Sequence, residues 1–96
     1  MMVKDIKKID GCLEGRNVWD FLLDKEITKA FIDYLGTNGK LIYQEQMKKP
    51  FFTVIVRGRY TIKGSETNHS FRVILPEDAD IERLDEIETY IYKYSQ

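Results

Sequence analysis

The spacing of apolar positions changes near the middle of this chain, and the change marks out its elements. Between residues 17 and 36, Trp19, Leu23, Ile27, Ala30, Phe31 and Tyr34 recur three or four residues apart. That is the stripe of an amphipathic helix. Asn17 suits the N-cap, Asp20 the first turn and Gly36 the C-terminal stop. The pattern predicts helix over about 18–35, either as one helix or as two with a restart at Asp24. Residues 1–14 have no single reading. Val3, Ile6, Ile9 and Leu13 fit one face of a helix or an irregular strand.

From Lys40 to Leu75 the period becomes two, and three strands are expected, about 40–46, 51–63 and 68–75. Even positions remain apolar or small (Phe52, Val54, Val56, Gly58, Tyr60, Ile62). Odd positions begin with Phe51, Thr53 and Ile55, then turn to Arg57, Arg59, Thr61 and Lys63. A slip of one residue would exchange the two faces, so like must be matched with like across each pair. This sets Tyr43 against Val54 and Tyr60 against Phe71. A turn at Arg57–Gly58 would put Val56 on the face of Arg59 and Lys63. A glycine bend inside one long strand is therefore preferred. Pro76 has no N–H with which to continue pairing. Beyond it Ile81, Leu84, Ile87, Ile91 and Tyr94 form the stripe of a second helix, about 79–94, capped by Asp78 or Asp80. The expected fold is α+β: a three-stranded antiparallel β-meander with both helices on its even face, in a single domain spanning 1–96.

Charge modifies this picture only locally. The net charge is −1, which gives no overall attraction to nucleic acid or anionic lipid. Residues 51–76 nevertheless carry four basic side chains and one acidic, and residues 77–96 carry seven acidic and two basic. The expected register gathers Arg57, Arg59, Lys63 and Arg72 on the odd, outer face, with Arg59 directly opposite Arg72. Facing like charges are unfavourable, and arginine forks suit phosphate or carboxylate. This face is the candidate anion or nucleic-acid site; a solvated sheet face and neutralisation by the acidic tail are the competing readings. The same face carries Ile42, Phe51, Ile55 and Ile74, a large apolar patch for a small chain. It is either covered by the N-terminal segment through Ile6, Ile9 and Leu13, or is an interface with a protein partner or a second copy.

Candidate chemistry is sparse. Cys12 and His69 are the only residues of their types, too few for a zinc site, and one cysteine forms no internal disulfide. That usage, with no signal peptide and no membrane-length apolar run, suggests a cytoplasmic chain without membrane association. No glycine-rich phosphate loop is present and no base is assignable to Ser65 or Ser70. No cofactor is implied. The expectation is a non-enzymatic interaction or self-associating module, with weak anion or nucleic-acid binding as the alternative.

Overall fold

The computed structural model describes residues 1–11, 13 and 15–95; Cys12 lies outside the described residues. The fold is α+β with an antiparallel sheet, but the sheet has six strands where three were expected. The strands are β1 (Val3–Ile9), β2 (Val18–Leu23), β3 (Lys40–Gln44), β4 (Phe51–Val56), β5 (Tyr60–Ser65) and β6 (Ser70–Ile74). Helix α1 spans Lys29–Gly36, and α2 spans Glu82–Tyr92, followed by a short 3₁₀ turn. The spatial order is β1-β2-β6-β5-β4-β3. After β2 the chain crosses to the far edge by way of α1, then returns as a meander that ends with β6 beside β2.

Two of the extra strands come from the N-terminal third. In β1 the register slips between Val3 and Asp5, where Val3 faces Leu23 and Asp5 faces Leu22. One additional residue reverses the alternation locally. Val3 and Ile6 therefore both pack toward the core, three residues apart, which explains why the spacing also resembled a helix. The expected helix over 18–35 is corrected in the same way. In β2 Trp19, Phe21 and Leu23 alternate on the helix-bearing side, while Val18 is buried on the other. Apolar residues on both faces hide the period of two. Asn17 caps nothing helical: its Nδ2 donates to Pro76 O (3.0 Å) and its Oδ1 accepts from Trp19 Nε1 (2.7 Å). The helix begins at Thr28, whose Oγ1 accepts from Phe31 N at 3.1 Å.

The long strand expected over 51–63 is two strands. The chain reverses at Arg57–Arg59, where Arg59 N donates to Val56 O at 2.9 Å and Gly58 has φ 76°. This left-handed conformation favours glycine. The loop has three residues, so Val56 faces Tyr60 and even positions stay together. A loop of two residues would have mixed the faces. The other registers move by even steps. Tyr43 faces Phe52, two residues from the expected Val54, and Phe71 faces Gly64, four from the expected Tyr60.

Both helices lie on the even face. Phe31, Ile32 and Leu35 of α1 and Leu84, Ile87 and Ile91 of α2 are buried against Phe21, Phe52, Val54, Ile62, Phe71 and Val73. Phe21 and Phe71 stack at 5.6 Å, and Tyr94 meets Phe31 edge-on at 5.1 Å. Full burial of such side chains contributes ~1.5–3 kcal/mol each before entropy is charged against it. Ile81, expected on the buried stripe of α2, is largely exposed ahead of its first turn. No helix among the described residues is long and apolar enough to cross a membrane.

Candidate interaction surface

With both helices on one side, the outer face is organised by strand register alone. One cross-strand row runs Lys7, Asp20, Arg72, Lys63, Thr53, Ile42. The next runs Ile9, Val18, Ile74, Thr61, Ile55, Lys40. Charge concentrates toward β1 and β6, whereas apolar side chains concentrate at two separate places.

The four basic residues do not form one face. Arg57 and Arg59 sit in the turn between β4 and β5. The Arg59 guanidinium forks onto Glu86 of α2, with Nε 3.2 Å from Oε2 and Nη2 bonded to Oε1. The hydrogen bond to Glu86, followed by its charge, holds Arg59 above the usual guanidinium range. Glu86 of the acidic helix thus offsets the charge of Arg59, and Arg83 Nη1 donates to the Arg59 carbonyl at 2.9 Å. The residue facing Arg72 is Lys63, not Arg59, because the β5–β6 connection lies at 66–69, two residues later than the expected 64–67, which moves the register by four. Asp20 flanks Arg72 on its other side. A strand read as helix could not reveal that carboxylate. Lys63, Arg72, Ser65 and Ser70 line a shallow hollow of about 320 Å³, together with Asp20 and Phe51.

The apolar patch also divides. Ile74 lies beside Val18, and the backbone at Gly15 passes over both. A methyl group placed on Gly15 would be 3.8 Å from Val18 Cγ2 and 4.0 Å from Ile74 Cγ2. Gly15 thus lies over this end. Of the segment expected to cover it, Ile9 faces Val18 in the same row. Ile6 packs on the opposite face and Leu13 is fully exposed. Ile42, Phe51 and Ile55 remain together on β3 and β4, with Ile42 41% and Ile55 37% exposed and Phe51 half-buried. Met47, in the loop joining these strands, is 49% exposed. Strand β3 is also a free edge of the sheet. The expected meander had also put strand 40–46 at an edge; what it lacked is the second edge, which the structure moves from β6 to β1.

A second hollow, about 730 Å³, lies on the helix side among Asn38, Arg59, Tyr60, Glu86, Tyr90 and Lys93. Its polar groups are engaged with one another. Tyr34 and Tyr90 stack at 4.5 Å, and each hydroxyl donates to the other residue's carbonyl, at 2.6 and 2.9 Å. Asn38 Nδ2 donates to the Tyr60 hydroxyl at 3.0 Å. Burial pushes the Tyr34 and Tyr60 phenols up. The cluster clamps the end of α1 to α2. His69 is exposed in the β5–β6 connection, where its carbonyl accepts from Leu23 N at 2.7 Å.

Comparison with models of known protein families, with curated proteins and with solved structures gave no match.

Proposed function

We propose that this chain is a non-enzymatic interaction module, and that its contact surface is the outer sheet face around Ile42, Phe51 and Ile55. One observation carries the reading. Both helices cover one side of the sheet, and on the other side these residues stay open at a free edge. Apolar area grouped this way gains most from a partner, since removing it from water contributes roughly 25 cal/mol per Å². A photo-crosslinking amino acid at position 55 tests it in cells that make the protein, with one at Glu88 on α2 as control. Adducts at 55 and none at 88 are expected. Equal labelling at both positions, or none at 55, overturns the reading.

A second reading, oxyanion binding, draws on Lys63 and Arg72 facing each other above Ser65 and Ser70 in one hollow. Asp20 in the same row opposes it. Titration with phosphate at low salt decides. Chemical-shift changes confined to residues 63–72 support an anion site, and their absence removes it.

A further inference from the structure

The two free edges of the sheet are built differently. Edge β1 carries Lys4, Asp5, Lys7 and Lys8, all exposed, and its register is broken between Val3 and Asp5. Charged side chains and bulges are the usual means by which an edge strand is kept from pairing with another chain. Edge β3 has no such break and fewer charges. Its five residues, Lys40–Gln44, pair without a break against β4, and its single charge stands at the first position. Its other side has no strand neighbour, so backbone N–H and C=O groups along it point to an open edge.

The side chains of β3 also complement themselves. In an antiparallel pair of two β3 strands centred on Ile42, Ile42 faces Ile42 of the second copy. Leu41 then faces Tyr43, both half-buried on the helix side, and Lys40 faces Gln44. No like charges meet. Centring instead on Lys40 would set two ammonium groups opposite each other, which is unfavourable. A twofold axis normal to the sheet keeps outer face with outer face. It thereby joins the two patches of Ile42 and Ile55 into one strip.

From this edge, its register and its charges, we infer that a second copy of this chain docks along β3, antiparallel about Ile42, and fuses the two sheets into one. The inference rests on the reading of the outer face given above and narrows it to a single partner. Self-complementarity selects that partner: each element of the pairing is satisfied by the same strand turned over, whereas a foreign segment would need to reproduce its charges and apolar positions independently.

Sedimentation equilibrium on the full chain is expected to show a monomer–dimer equilibrium. Disulfide trapping with copper–phenanthroline as oxidant then reads the register, in a Cys12→Ser background. Facing residues of an antiparallel pair have Cα atoms about 4.5–5.5 Å apart, within the roughly 4.4–6.8 Å that a disulfide spans. Ile42→Cys is expected to give a covalent dimer. Lys40→Cys alone is not, but mixed with Gln44→Cys it is. A wild-type chain that stays monomeric at high micromolar concentration overturns the inference, as does a dimer trapped through Leu22→Cys and not Ile42→Cys. If the crosslinker at 55 captures only a different protein, the outer-face reading stands and the second copy is excluded.

Discussion

Gly39 forms the bend just before β3 and lies against Ile55 and Val56 of β4. It is not among the left-handed glycines, which are Gly11, Gly15 and Gly58. On backbone grounds alone, Gly39→Ala should stabilise the protein by about 0.4–1 kcal/mol by restricting the unfolded chain. The packing argues the opposite sign. A Cβ at this position would lie 2.9 Å from both the Ile55 carbonyl carbon and Val56 Cγ2, and closer still to the Ile55 carbonyl oxygen. These are mostly backbone atoms in the neighbouring strand, so relief requires shifting β3 against β4. Overpacking of this kind costs about 1–3 kcal/mol, and an immovable backbone neighbour puts this case at the upper end. After subtracting the entropic gain, a net loss near ~2 kcal/mol remains. For a chain of this size that corresponds to a fall of roughly 8–16 °C in Tm. Gly58→Ala is the control: nothing lies within 4 Å of its added methyl group, and only the left-handed φ costs, about 1–2 kcal/mol. Gly58→Asn should recover much of that loss, because asparagine tolerates this conformation, while Gly39→Asn should recover nothing. Calorimetry of the four variants checks both. A Gly39→Ala protein that melts at or above the parent temperature refutes the steric argument and the β3–β4 placement with it.

Three further outcomes are expected. Arg59→Gln should lower the urea midpoint slightly, because Arg59 is paired with Glu86 and does not oppose Arg72; in a double-mutant cycle with Glu86→Gln the losses should be less than additive. Tyr43 donates to Glu66 Oε1 at 2.5 Å, and that bond, then burial, pushes its phenol up to about 12. The folded state thus holds this proton where the unfolded state has released it, so stability should fall as pH rises from about 10 through 12, and Tyr43→Phe should flatten that part of a pH–stability curve. Phe31→Ala empties a fully buried site between Phe71 and Tyr94 and should cost about 3–5 kcal/mol, read from chemical denaturation; a loss under ~1 kcal/mol would place Phe31 outside the core.

How much of this was legible in the sequence turns on parity. Every pairing error in the meander was an even number of residues, two at β3–β4 and four at β5–β6. Hydrophobic patterning constrains which face a residue occupies but says nothing of displacement by whole repeats. The face of each strand residue from Lys40 to Ile74 could therefore be read, while the partner of Arg72 could not. The position of the β5–β6 turn sets that partner, and it falls at 66–69 rather than 64–67. The turn at Gly58 was hidden for a separate reason: a three-residue loop preserves the alternation that a continuous strand would show. The N-terminal strands failed for another reason. A bulge at Val3–Asp5 and apolar residues on both faces of β2 removed the period of two where it was most needed. The candidate surface was legible in part. Strand 40–46 is an edge of the expected meander, and β3 is an edge of the sheet. What the pattern did not show is the other edge. The pairing of β2 with β6 makes β6 interior and carries that edge to β1, whose charges and register break contrast with β3. The contrast that singles out β3 thus belongs to strand order, fixed by the distant pairing of β2 with β6, and no local window of sequence contains it.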